Sequence, residues 1–156
     1  MKKKMLYISA FNPSVNTQAG QKTTFHNINK LSNEYSITLL VVGRMFISKT
    51  SKSFLKISNR INIVQNPIDY LITALLILLL LPIRLGTRIS TSVIRHLIFN
   101  QRKYNLIYLD YSQMFWCIFF IKKNINIHIL CHDIIYQYAH RSKNYNKISL
   151  YILYIY

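Results

Sequence analysis

The chain has 156 residues, 51% of them hydrophobic and 15% charged, a balance that excludes a disordered tail and suits one domain with a sizeable core. Twenty Lys and Arg stand against only Glu34, Asp69, Asp110 and Asp133, so the net charge is +16 and an anionic partner is expected. Cys117 and Cys131 have no C-x-x-C spacing and sit in apolar surroundings, as reduced core thiols do.

Met5 to Phe11 is apolar enough for a buried parallel strand, and Asn12-Pro13 ends it because proline supplies no ladder donor. Gly20 is expected to let the backbone turn tightly into a helix starting near Gln21, with Phe25, Ile28 and Leu31 as its inward stripe. Ile37 to Val42 is a second apolar run of strand length, which completes a βαβ unit. Such a unit puts its first loop at the carboxyl edge of the sheet, where backbone N–H groups and the helix dipole favour an anion. The G-x-G-x-x-G pattern is absent, and the second strand runs into Gly43-Arg44 instead of an acidic residue, so a tight turn without a ligand stays open.

After a basic, Ser-rich connector, Ile61 to Val64 forms a short third strand. Leu71 to Leu81 is the most apolar segment, but Asp69 and Arg84 bracket only the fourteen residues 70–83, with Pro82 among them. A spanning helix needs about twenty. The segment is therefore expected to be a buried helix or one lying partly in the membrane interface. MKKK before a short apolar strand lacks the cleavage site of a signal peptide, so a cytoplasmic location is expected. Ile89, Val93, Ile94, Leu97 and Ile98 recur as on a one-faced helix, with Arg88, Ser92 and Arg95 outside. Asn105 to Leu109 then makes a strand ending at Asp110, Gln113 to Phe120 a helix, and Ile125 to Leu130 a strand ending at His132-Asp133. The alternation specifies an α/β fold, a Rossmann-like parallel sheet with helices on both faces.

Polar residues collect at the strand ends: Asp110, Tyr111, Ser112 and Gln113 after one, His132-Asp133 after the next. In an open parallel sheet those ends share one crevice with the Gly20 loop, which makes them the candidate site. The competing reading is that Asp110 and Asp133 only cap the helices that follow. His128, Cys131 and His132 have ligand-type side chains, but on a strand the two histidines face one way and the cysteine the other, so no shared metal is expected. G-x-S-x-G and G-x-x-x-x-G-K-[ST] are both missing, which leaves phosphate binding by backbone and dispersed cations. No helix-turn-helix, zinc-finger or aromatic RNA-binding signature accompanies the scattered cations, so nucleic acid is not the expected partner. Dispersed charge beside apolar surface suits acidic lipid better, peripherally on the inner face of the cell membrane.

NTQAGQKTTFHNINKLS, SITLLVV, LPIRLGTRISTSVIRHLIF, YNLIYLDYSQM and HDIIYQYAHRS, in this order, resemble the amino-terminal domain of family 4 GT-B glycosyltransferases of bacterial surface-polysaccharide synthesis. The resemblance covers nearly the whole chain. It implies one half of a GT-B fold, the acceptor-side domain of a retaining glycosyltransferase that uses a nucleotide-sugar donor, a lipid-linked or polysaccharide acceptor, and neither an obligatory metal nor another cofactor. Carried over residue by residue, Ala19, Gly20 and Gln21 form the donor phosphate loop, where the family usually has a Gly-Gly pair. His132 and Asp133 are the catalytic candidates near the transferred sugar, and Asp110, Gln113 and Arg141 line the acceptor-side crevice. The chain stops at ISLYILYIY, partway through an apparent helix, and Glu34 is its only glutamate, so the paired glutamates of the second domain are not here. The expectation is a domain incomplete at its carboxyl end and inactive alone, either a truncated product or one half of an enzyme completed by a separate chain. Two other classes stay open: a small basic membrane-associated protein without catalysis, and a nucleic-acid-binding module.

Overall fold

A computed structural model describes residues 2–13, 19–43, 59–78 and 88–130. Five parallel strands lie in the order β3-β2-β1-β4-β5: β1 Lys3–Ser9, β2 Tyr35–Gly43, β3 Asn59–Val64, β4 Leu106–Asp110 and β5 Asn126–Leu130. β1 is central and pairs with β2 through Lys3↔Tyr35 to Ser9↔Val41 and with β4 through Met5↔Leu106 to Ser9↔Asp110. A strand flanked on both sides and covered on both faces is apolar through its centre, and Met5, Leu6, Tyr7 and Ile8 are all fully buried.

Alternation along β1 divides the core into two layers. Leu6, Ile8 and Ala10 face one side with Leu40, Val42, Ile63, Ile107 and Leu109, beneath α2 Pro67–Leu78, α3 Thr91–Asn100 and a 3-10 helix Ser112–Phe120. Met5 and Tyr7 face the other with Ile37, Leu39 and Val41, beneath α1 Ala19–Leu31. The expected stripe of α1 is present: Ile28 is fully buried, and Phe25 and Leu31 pack beside it. Residues 112–120 form a 3-10 rather than an α-helix. Its three-residue repeat fits the apolar order here, since Met114, Cys117 and Phe120 fall on one edge and pack on the sheet. Burial pushes the Cys117 thiol well above its ordinary pKa, as expected of a core cysteine.

One sequence expectation needs correction and another is narrowed to one of its alternatives. Arg88, placed outside the helix by its spacing, is buried: its Nη1 donates to the Val42 carbonyl at 3.0 Å and its guanidinium lies 5.3 Å from the centroid of Phe11. The leucine-rich helix is buried on one side only. Asp69, Ile72 and Thr73 turn inward, whereas Ile68, Leu71, Leu75 and Leu78 form an exposed stripe, with Leu71 62% and Leu78 77% accessible. Among the described residues no helix is long and apolar enough to cross a membrane.

Asp69 has a structural task that its sequence position did not announce. Asn66 caps α2 by accepting from the Asp69 N–H at 2.9 Å, and Asp69 Oδ2 returns the contact to the Asn66 N–H at 2.9 Å. The second oxygen, Oδ1, accepts from the Thr91 N–H at 2.7 Å and from its hydroxyl at 2.8 Å, at the start of α3. One buried carboxylate thus serves the amino ends of two helices. Ser90, the residue in the α3 cap position, makes no side-chain capping bond.

Candidate functional site

The strand order reverses direction between β1 and β4, and an open α/β sheet forms its ligand crevice at the carboxyl ends of such a pair. Ser9 and Asp110 are register partners there. Asp110 is fully buried, and its Oδ2 accepts from Thr24 Oγ1 of α1 at 2.6 Å and from Ser9 Oγ at 3.2 Å. The carboxylate therefore ties α1 to the two central strands, a long-range role beyond the capping that its place at a strand end suggests. Its charge also reaches the tyrosines of the neighbouring row. Burial first, and Asp110 second, push the Tyr7 and Tyr108 hydroxyls above their ordinary pKa, and the two rings stack 4.7 Å apart.

Gly20 lies beside this cluster for a reason other than a tight turn. It falls in the first turn of α1, without positive φ. A Cβ at Gly20 would stand 2.2 Å from the Tyr111 hydroxyl oxygen and 3.2 Å from its Cζ, so only glycine admits the ring against the helix. Tyr111 itself carries the one positive φ of the described non-glycine residues, 76°. Such a backbone costs roughly 1–3 kcal/mol and is kept where the surroundings fix it. Here they do: the Tyr111 N–H donates to the Leu130 carbonyl at 3.0 Å, and the ring meets Phe11 edge-on at 4.7 Å.

The segment after β1 is held between two cations. Arg60 of β3 donates from Nη2 to Asn12 Oδ1, and Arg88 covers Phe11. Ile61 packs in the layer under α3, so its neighbour Arg60 approaches from the α1 face while Arg88 comes from the other. Burial lowers the pKa of Arg60 from its ordinary value. Gln113, half-buried two residues beyond Tyr111, has a buried Oε1 with no hydrogen-bond partner among the described residues.

Of the residues singled out in the sequence, the structure gathers Gly20, Asp110 and Gln113 at one edge through Tyr111 and Thr24. Ala19 and Gln21 stand in the same first turn of α1. His132, Asp133 and Arg141 lie outside the described residues, as does Cys131. His128 is exposed on β5, with its ring 6.2 Å from Tyr108. Two open, polar cavities of about 380 and 370 Å3 occur at the opposite, amino edge: Lys3, Tyr35 and His128 line the first, Arg102 and Lys122 the second. Both lie away from the switch point, where an open α/β sheet forms its ligand crevice. Ser9, Thr24, Arg60 and Arg88 were missed in the sequence. A hydroxyl in the last residue of a strand, in register with an aspartate, is the signal that marks Ser9; the other three depend on tertiary approach.

Compared with known proteins, the chain matches no family model, no curated protein and no solved structure.

Proposed function

We propose that this chain is the acceptor-side domain of a GT-B glycosyltransferase, working on a nucleotide-sugar donor and a lipid-linked or polysaccharide acceptor at an anionic membrane surface. The observation that carries it is the convergence, at the switch point of a parallel sheet, of the amino end of α1, two guanidinium groups and the partnerless Gln113 Oε1. A helix amino terminus and nearby cations stabilise phosphate charge, which grows on the leaving group as a glycosyl bond breaks. Asp110 acts here as a positioning residue, since its Oδ2 is engaged by Ser9 and Thr24. The resemblance implies that Gln113 contacts the acceptor, and its Oε1 has no hydrogen-bond partner among the described residues. His132 and Asp133 are assigned next to the transferred sugar by the resemblance alone, and the nucleotide pocket belongs to a second Rossmann-like domain.

The test is a chimera of this chain with the carboxyl-terminal domain of a family 4 enzyme, assayed for sugar transfer to a lipid-linked acceptor. Gln113→Ala, at a half-buried position, should lower transfer on the order of tenfold with little change in melting temperature, because it removes a hydrogen bond to substrate and no core packing. His132→Ala should lower it further. Transfer unchanged in both variants refutes the site, and sustained turnover by the 156 residues alone refutes the need for a second domain. A small basic membrane-associated protein without catalysis is the second reading, favoured by the exposed stripe of α2; a chimera that folds and transfers nothing would favour it.

A further inference from the structure

Among the described residues, the large exposed hydrophobic side chains lie on one side. Every large hydrophobic residue exposed among the described residues belongs to the layer that covers the Leu6 and Ile8 face of the sheet: the α2 stripe with Tyr70, Ile98 and Phe99 of α3, Ile118 and Phe119 of the 3-10 helix, and Ile129 of β5. Ile129 shares that face because Ile127, two residues before it, packs there. Phe99 is 75% and Phe119 87% accessible, values that a ring surrounded by water does not favour. The opposite layer shows water a different surface, since Lys22, Thr23, His26 and Lys30 are the exposed residues of α1.

Exposed cations stand on both sides, Lys22 and Lys30 of α1 among them, and this side has its own set. Arg95, Arg102 and Lys103 of α3 and its end, with Lys122 and Lys123 after the 3-10 helix, are exposed around the apolar residues. Among the described residues no exposed acid accompanies them: Asp69 and Asp110 are buried, and Glu34, exposed, sits in the turn after α1. Leucine and phenylalanine projecting from a layer rimmed by unopposed cations match a bilayer, whose acyl boundary takes the rings while its anionic headgroups take the arginines and lysines.

We propose that the layer built by α2, α3 and the 112–120 helix is the membrane-contact face, and that its occupant is an anionic lipid bilayer. The sheet then lies parallel to the membrane surface, and its carboxyl edge opens sideways along the headgroups. A lipid-linked acceptor reaches that crevice by lateral diffusion, without leaving the bilayer. This deepens the membrane part of the function proposed above and is independent of whether sugar transfer occurs.

Vesicles of phosphatidylglycerol and phosphatidylcholine in equal parts, with pure phosphatidylcholine as control, provide the test. Leu71→Glu with Leu75→Glu removes two units of net charge from the contact face; Lys22→Ala with Lys30→Ala removes two from the α1 face. All four sites are exposed, so the fold should persist, and Phe119→Glu repeats the first experiment on a separate element. The leucine pair and Phe119→Glu should each weaken cosedimentation with anionic vesicles on the order of tenfold, and the lysine pair by less than about twofold. Trp116, the single tryptophan, lies in the 3-10 helix of this layer and should be quenched by acyl-brominated lipid. Equal losses in the two charge-matched pairs, or full binding by the leucine pair and Phe119→Glu, overturn the face while leaving membrane association standing. No binding of the parent protein to anionic vesicles overturns the association itself. A dimer that the leucine pair dissociates, with vesicle binding unchanged, gives the face to a second copy.

Discussion

Replacing Gly20 by alanine sets two opposed effects against each other, and the structure says which should win. Alanine is the better helix former by roughly 1 kcal/mol, less in a first turn, so α1 alone would be strengthened. Its Cβ would however fall 2.2 Å from the Tyr111 hydroxyl oxygen, well inside contact distance. The ring has little freedom to withdraw, because its other neighbour is Phe11 and its backbone is fixed at φ 76° by the bond to Leu130. Overpacking of this kind costs about 1–3 kcal/mol, so the net change should be a loss of about 1–2 kcal/mol, or about 2–8 °C in melting temperature for a domain of this size. Tyr111→Phe removes the offending oxygen and leaves Cζ, 3.2 Å from the new methyl, as the nearest atom. Gly20→Ala made on that background should therefore be nearly neutral. Urea unfolding of the four proteins gives the coupling energy directly, expected at about 1–2 kcal/mol. A Gly20→Ala protein as stable as the parent, with no coupling to Tyr111, would refute the close-approach explanation of this glycine.

Asp69→Ala should destabilise by about 2–4 kcal/mol, because it uncaps two helices and strands buried donors at Asn66 and Thr91; Asp69→Asn, which keeps one acceptor oxygen, should recover part of that loss in the same unfolding assay. His96, half-buried against the Tyr104 hydroxyl at 3.2 Å, has its pKa lowered first by burial and then by Lys103. A histidine that resists protonation only when folded favours the folded state above the unfolded pKa of about 6.5, and that contribution is lost as pH falls below it toward the folded value. His96→Gln should flatten the decline of melting temperature on acidification from pH 7.5; an unchanged decline would assign it to other groups.

The α/β alternation was legible because buried parallel strands are continuous apolar runs and α1 keeps its stripe in register. Boundaries moved by a few residues, as when the first strand proved to be Lys3–Ser9, since the ladder extends wherever a partner strand is present. What could not be read was side-chain reach. Arg88 has the composition of a surface residue, and only the Val42 carbonyl and the Phe11 ring, distant in sequence, make its burial tolerable. Likewise Gly20 is legible as a special position, but the cause is a tyrosine ninety-one residues away rather than its own dihedral angles. At the candidate site, Asp110 and Gln113 were visible as polar residues ending a strand, whereas the Ser9 and Thr24 hydroxyls that occupy Asp110 were not, because hydrophobic periodicity carries no record of which polar groups meet.

The central position of β1 sets a timetable for the protein in the cell. β1 is synthesised first, yet its second edge is closed only by β4, and the bond from Ser9 to Asp110 spans 101 positions. At a translation rate of about 5–20 residues per second, that edge waits about 5–20 seconds for its partner. During this interval the nascent chain offers a strand with one open edge and an apolar centre, Met5 to Ile8, the kind of template on which neighbouring chains aggregate. The strand that organises the finished sheet is thus the one that most needs shelter while the rest is being made.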